Sequence, residues 1–160
     1  MLKTEGETPD LWTELADLYT RTGKFRDATG AYEKVVGLGV ETPVIWNCLG
    51  DSYKKTGQYE DSDLAYARSL DLDPNDPAVW LKRARVLASR NRYDDALSCC
   101  DHSLTIDESS AVAWHYKAFV LKKVGRNEDA LEIYTYLRHL DPKDENAARQ
   151  ETTIRKLLKK

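Results

Sequence analysis

The four tryptophans of this chain, Trp12, Trp46, Trp80 and Trp114, are separated by equal intervals of 34 residues. Small residues recur four and sixteen positions after each tryptophan, glycine or asparagine eleven positions after it, and leucine or isoleucine twenty-six positions after it. In that order the members are Ala16, Gly50, Ala84 and Ala118; Ala28, Ser62, Ala96 and Ala130; Gly23, Gly57, Asn91 and Gly125; and Leu38, Leu72, Ile106 and Leu140. A period of this length is typical of stacked supersecondary units.

Each repeat is predicted to form two antiparallel amphipathic helices. Between Trp46 and Tyr53 the apolar and small residues fall on one face at helical spacing. Glycine and asparagine tolerate positive φ and let the chain reverse between helices. The small residues permit close approach of two helix backbones, and the tryptophan and leucine or isoleucine positions supply apolar bulk. The predicted first helices are 10–22, 43–56, 77–90 and 111–124, and the predicted second helices are 25–38, 59–72, 93–106 and 127–140.

Net charge and cysteine content restrict the classes of partner that the protein is expected to bind and the cellular compartment in which we expect it. The net charge of −3 provides no basic field for nucleic acid, and no apolar run approaches the ~20 residues that span a bilayer. Three cysteines without a paired motif, and a polar stretch over residues 1–10, favour the cytoplasm. Residues 145–160 carry five basic and two acidic side chains, a net charge of +3. Two interpretations of that basic end stay open: contact with an acidic partner or membrane surface, and a solvated helix end.

Residues 9–144 resemble the tetratricopeptide repeat family. The family pattern is W-x2-L-G-x2-Y, followed by A-x3-F/Y and then P, and residues 46–53 match its first block without exception. Arg83 and Lys117 depart from it, since each stands where the family prefers leucine. The resemblance implies an all-α fold, a right-handed α-α superhelix. The implied divisions are a polar segment at 1–8, repeats at 9–42, 43–76, 77–110 and 111–144, and a capping helix at 145–160. Residues expected to pack the capping helix on the last repeat are Ala147, Ala148, Ile154, Leu157 and Leu158.

The resemblance also implies that the first helices line a concave groove that receives a peptide or protein partner. Carried over position by position, the candidate ligand-contacting residues are Asn47, Asp51, Lys54, Leu81, Arg85, Val112, His115, Phe119, Lys122 and Lys123. Phe119 is the most informative, because its helical phase points away from the packing face. An exposed aromatic flanked by cations suits an apolar side chain next to a carboxylate. We therefore predict a peptide with an apolar anchor and an acidic flank at repeats three and four; the alternative is that Phe119 packs against a neighbouring helix.

Other chemistry finds little support in the sequence. Cys99, Cys100 and His102 are close together but fall short of the four ligands of a structural zinc site. The chain contains no glycine-rich phosphate loop and no G-x-S-x-G elbow. The prediction is thus a scaffold for protein–protein interaction, not an enzyme, with no metal and no cofactor. The alternative is a self-associating module that forms a homo-oligomer, or a fragment of a larger protein whose activity lies elsewhere.

Overall fold

The structure is a computed structural model that describes residues 8–159. Within these residues the secondary structure consists of nine α-helices and no strands. The helices are α1 Pro9–Arg21, α2 Phe25–Gly37, α3 Pro43–Lys55, α4 Tyr59–Leu72, α5 Pro77–Ser89, α6 Tyr93–Ile106, α7 Ala111–Lys123, α8 Asn127–Leu140 and α9 Glu145–Leu157. The bounds of α1 to α8 confirm the predicted helices to within one residue at each end. The polar segment 1–8 lies outside the described residues except for Thr8.

Helix ends follow from local chemistry. The side chains of Thr8, Thr42, Ser110 and Asp144 each accept a hydrogen bond from the backbone N–H three residues later, which caps α1, α3, α7 and α9. The predicted turn residues are confirmed, because all four have positive φ. Their φ values are 74° for Gly23, 81° for Gly57, 59° for Asn91 and 81° for Gly125.

The chain divides into two compact units, one that ends at Val79 and one that begins at Trp80 within α5. In the first unit α1 packs on α2, α2 on α3, and α3 on α4. Its core contains Ala16, Ala28, Ala31, Tyr32, Val35, Ile45, Leu49 and Ala65, with Trp12 and Trp46 partly buried against it.

In the second unit α6 packs on α7, α7 on α8, and α8 on α9. Its core contains Ala84, Leu87, Ala96, Leu97, Cys99, Cys100, Ala118, Val120, Leu121, Ala130, Ile133, Tyr134, Leu137, Ala147 and Ile154. Trp80 and Trp114 are partly buried against this core. In both units the residues four and sixteen positions after the tryptophans are buried, as their small size predicts.

Helices α3 and α4 approach each other closely at Gly50. A β-carbon placed on Gly50 would lie 2.6 Å from the ring of the fully buried Tyr66. The Ser62 hydroxyl donates a hydrogen bond of 2.7 Å to the Gly50 carbonyl across the same contact. Glycine and serine at these two positions therefore permit the Tyr66 ring and the Ser62 hydroxyl of α4 to contact α3 at Gly50.

Two sequence-based expectations about apolar residues are wrong. The residues twenty-six positions after each tryptophan were expected to supply apolar bulk to the packing, but all four are exposed. They are Leu38, Leu72, Ile106 and Leu140. Leu72, Ile106 and Leu140 are the last residues of second helices, and Leu38 directly follows one. In α9, Ala147 and Ile154 are buried as expected, whereas Leu157 and Leu158 are exposed at the helix end.

A buried carboxylate fixes α9 to α8, and the sequence did not reveal it. Glu151 accepts a hydrogen bond of 2.8 Å from Arg138 of α8 and bonds of 2.9 and 2.8 Å from Arg155 of α9. The Arg138 and Arg155 guanidinium groups together hold the pKa of Glu151 below its ordinary value, although its burial acts in the opposite direction. The charged form of Glu151 is therefore stabilised by folding.

We expect Glu151→Gln to lower the free energy of unfolding by about 1 kcal/mol at neutral pH, because it removes charge-assisted hydrogen bonds to two half-exposed arginines. Because folding lowers the pKa of Glu151, its carboxylate stabilises the fold at pH values above its unfolded-state pKa of about 4.3. This stabilisation is lost as the pH falls through the lower folded-state pKa. Urea unfolding of both proteins across the acid range should therefore show the difference shrinking below about pH 4. A difference that stays constant from neutral to acid pH would contradict this assignment.

Candidate functional site

An exposed aromatic pair lies on α7 in the second unit. Phe119 is 44% exposed, and its ring stacks on Tyr116 with centroids 5.7 Å apart and an interplanar angle of 29°. The two residues are three positions apart and so project from one side of the helix. Ala118, Val120 and Leu121 point into the core. The predicted exposure of Phe119 is confirmed, and its aromatic contact is to its own helix.

Two cations flank this aromatic pair. The guanidinium of Arg85, from α5, lies 5.3 Å from the Tyr116 ring centroid, and the ammonium of Lys123 lies 5.5 Å from the Phe119 centroid. Contacts at this distance are attractive by roughly 0.5–1 kcal/mol at exposed sites. We call Arg85, Tyr116, Phe119 and Lys123 the aromatic–cation surface. It combines the half-exposed Phe119 ring with one positive charge near each of its two rings.

Tyr116 contributes to this surface as a neutral phenol. Burial raises its pKa to about 12, and the nearby Arg85 guanidinium acts against that rise. The sequence analysis missed Tyr116, because it lies two positions after Trp114 and outside the positions taken from the family. Its spacing of three residues from Phe119 was the available signal.

Two other predicted ligand contacts lie against α9. The Nε2 atom of His115 is 2.6 Å from the Asp144 carboxylate. Lys122 Nζ donates a hydrogen bond of 2.5 Å to the side-chain carbonyl of Gln150. Burial tends to raise the pKa of Asp144, but the hydrogen bonds from the Ala147 N–H and from His115 outweigh it, so that this pKa is lowered. His115 and Lys122 therefore help to hold α9 against α7.

The remaining second-unit candidates differ in exposure. Leu81 is partly buried against the core, and Val112 is exposed at the start of α7. Leu81 thus serves packing, whereas Val112 presents an apolar side chain to solvent.

The other three candidates, Asn47, Asp51 and Lys54, lie in the first unit on α3. Asp51 accepts a hydrogen bond of 2.7 Å from the Tyr66 hydroxyl and is 3.5 Å from Lys54 Nζ. Burial, followed by the hydrogen bond to Asp51, raises the pKa of Tyr66. The Asp51 carboxylate therefore satisfies a buried phenol within the repeat.

A tyrosine–aspartate hydrogen bond like that of Tyr66 and Asp51 also occurs in the first repeat, but the second unit lacks the aspartate. Asp17, five positions after Trp12, accepts a hydrogen bond of 2.7 Å from Tyr32, twenty positions after Trp12. At the position of Asp17 the third and fourth repeats have Arg85 and Phe119. This substitution supplies the aromatic–cation surface with two of its four side chains.

A surface groove lies in the first unit, away from the aromatic–cation surface. The groove, of about 470 Å³, runs beside Trp46 and is bordered by Tyr53, Leu64 and Arg68. It contains none of the predicted ligand contacts. It is also open to solvent, so it is a surface depression and not an enclosed small-molecule cavity.

Metal and thiol chemistry gain no support from the geometry. Within residues 8–159, no group of three or more His, Cys, Asp and Glu side chains is arranged to hold a metal ion. Burial raises the pKa of Cys100 to about 12, so it is a neutral thiol near pH 7. His102 stacks on Trp80 with ring centroids 4.4 Å apart.

None of the described helices has both the length and the apolar character needed to cross a membrane.

Comparison with known proteins identifies the repeat. Two family models, both described as tetratricopeptide repeat, match residues 11–43 and 49–111. No curated protein matches the sequence. The crystal structure of MamA is similar with a TM-score of 0.85 and 19% identity, over 93% of this chain and 81% of that one.

Two further solved structures are described with peptide sites. YrrB, a TPR protein with an unusual peptide-binding site, has a TM-score of 0.84 and 20% identity over 92% of this chain and 76% of its own. The first TPR of Spaghetti (RPAP3), bound to an HSP90 peptide, has a TM-score of 0.68 and 21% identity over 76% of this chain and 100% of its own. At these identities the similarity establishes the fold.

Proposed function

Because this chain belongs to the tetratricopeptide repeat family, we propose that it is a protein-interaction module whose second unit binds a peptide segment of a partner protein. The ligand has an apolar anchor residue next to acidic residues, and the anchor lies on the aromatic–cation surface. The peptide sites described for YrrB and for the first TPR of Spaghetti support a peptide as the ligand class.

The observation that carries the proposal is the half-exposed ring of Phe119, stacked on Tyr116. Full burial of a large apolar side chain contributes about 1.5–3 kcal/mol, and a binding hot spot contributes about 2 kcal/mol or more. Aromatic residues and arginine are enriched at hot spots. The surface of Phe119, Tyr116 and Arg85 combines both types.

The charges beside the ring select the residues that flank the anchor. Arg85 and Lys123 lie over aromatic rings. Lys117 also lies over a ring, that of Trp114, but it is paired in addition with the Asp101 carboxylate at 2.6 Å. A ligand carboxylate can approach Lys123 without displacing an internal acid. Acidic residues next to the anchor are therefore favoured.

Rigidity lowers the cost of binding at this surface. Ala118, Val120 and Leu121 anchor α7 in the core, and Tyr116 is packed against it. The ring of Phe119 is thus held in place before the ligand arrives, which reduces the ordering cost on association. The first-unit candidates Asn47, Asp51 and Lys54 are not required for the anchor contact.

The test starts from a displayed library of random peptides selected on the whole chain. We expect the selected peptides to share an apolar residue next to Asp or Glu. Phe119→Ala should weaken their binding at least about tenfold, because it removes the ring contact. Lys123→Ala should weaken binding about two- to fivefold and more strongly at low salt, as is usual for an exposed charge.

The matched control is Tyr136→Ala, which removes another exposed aromatic of the second unit, on α8. Its affinity for the selected peptides should stay within about twofold of wild type, as expected for a residue outside the contact. If Tyr136→Ala weakens binding as much as Phe119→Ala does, or if the selected peptides show no acidic preference, the proposal fails.

A further inference from the structure

One face of α1 is exposed where the same face of later helices is buried. The residues one position before and six positions after Trp12 are Leu11 and Leu18, which are 51% and 56% exposed. At the same positions of the repeat, the residues of α3, α7 and α9 are at most 7% exposed. They are Ile45 and Ser52, Ala113 and Val120, and Ala147 and Ile154.

The buried copies of this face show what normally covers it. Each of α3, α7 and α9 packs on the second helix of the preceding pair, which is α2, α6 and α8 respectively. Within the described part of the chain, no helix precedes α1. Leu11 and Leu18 lie seven residues apart, about two helical turns, and so form an apolar strip on that face. Asp10 and Glu14 are exposed beside this strip.

A second exposed apolar site with the opposite charge lies at the end of α9. Leu157 and Leu158 are 52% and 41% exposed. The neighbouring exposed side chains Arg155, Lys156 and Lys159 are basic. Both sites thus have two leucines, one with an acidic border and the other with a basic border.

We infer that the α1 strip of one copy of this chain receives the α9 end of a second copy. The leucines of both surfaces are buried by this contact, and Asp10 and Glu14 face Lys156 and Lys159 of the other copy. The two surfaces differ, so the contact is head-to-tail, and a dimer joined by one such contact leaves one α1 strip and one α9 end free. This inference goes beyond the proposed peptide binding and does not depend on it, because the two involve different residues.

Sedimentation velocity of the whole chain over a range of concentrations provides the first test. We expect the average mass to rise with concentration beyond that of a dimer, and the association to weaken with added salt. Leu18→Lys and Leu157→Lys should each reduce the association constant at least about tenfold, because each places a charge in an apolar contact. The control Leu64→Lys, at an exposed leucine of α4, should leave it unchanged.

Mixing the two variants separates a head-to-tail contact from a symmetric one. Leu18→Lys retains a working α9 end, and Leu157→Lys retains a working α1 strip. An equimolar mixture should therefore form one-to-one dimers and nothing larger, while each variant alone associates at least about tenfold more weakly than the wild type. Circular dichroism checks that each variant remains helical. A chain that is monomeric at every concentration, a mixture that does not associate, or an equal effect of Leu64→Lys overturns the inference.

Discussion

Replacement of Trp80 by alanine is expected to lower the free energy of unfolding by about 3 kcal/mol, the lower end of the range for truncation of a buried aromatic. Trp80 packs against the core of the second unit, and its indole stacks on His102 at 4.4 Å. The indole is only partly buried, which is why the low end applies. Removal of this side chain leaves a void beside the core that the helices cannot fully close.

Urea unfolding followed by circular dichroism measures this loss. Leu140→Ala is the control, because Leu140 is an exposed apolar residue in the same unit and should change stability by no more than about 0.5 kcal/mol. A loss below about 1 kcal/mol for Trp80→Ala is typical of surface positions. That result would contradict the assignment of the periodic tryptophans to the packing between helices.

The second large effect is expected at Gly50. Gly50→Val should lower the free energy of unfolding by about 2–3 kcal/mol, the upper part of the range for overpacking. A β-carbon at this position would lie 2.6 Å from the buried Tyr66 ring, whose hydroxyl is held by Asp51. The ring cannot move without loss of that hydrogen bond or separation of α3 from α4.

Gly30→Val provides the matched control within the same unit. Gly30 lies on α2, and a β-carbon there meets no atom within 4 Å. The substitution should be neutral or slightly stabilising, since valine has a better helix propensity than glycine. If both variants lose the same free energy of unfolding, the loss comes from placing valine in a helix and not from the close approach at Gly50.

The repeat could be predicted because its determinants are local or periodic. The turn residues, such as Gly57 and Asn91, need only tolerate positive φ, and the observed values of 81° and 59° confirm them. The small residues at the helix contacts follow from the same period. The tryptophan spacing fixed the register, and the helix bounds follow from it.

The contacts between distant segments could not be predicted in the same way. The bond between His115 and Asp144 joins residues 29 positions apart, and Glu151 is buried between arginines of two helices. The His115–Asp144 and Arg138–Glu151 pairs each join two different segments, and only the Glu151–Arg155 pair lies at helical spacing within one element. The exposure of Leu157 also depends on where α9 extends beyond the helices that cover it.

The candidate surface was predicted in part. The exposure of Phe119 followed from its helical phase, but its partner Tyr116 did not follow from the family positions. Asp51 was a candidate ligand contact, and the structure adds that it accepts a hydrogen bond from Tyr66. A carboxylate that the family positions place on the ligand-binding face can thus accept a hydrogen bond from a buried tyrosine. Such a bond is visible only in the three-dimensional structure.

The most direct test of the proposed binding surface is an NMR titration of the isotopically labelled chain with a peptide selected from the random library. We expect the largest amide shifts on α7 around Phe119 and Lys123 and on α5 around Arg85, and Phe119→Ala should strongly reduce them at the same peptide concentration. Shifts confined to the first unit, or to the exposed faces of the second helices α6 and α8, would contradict this prediction.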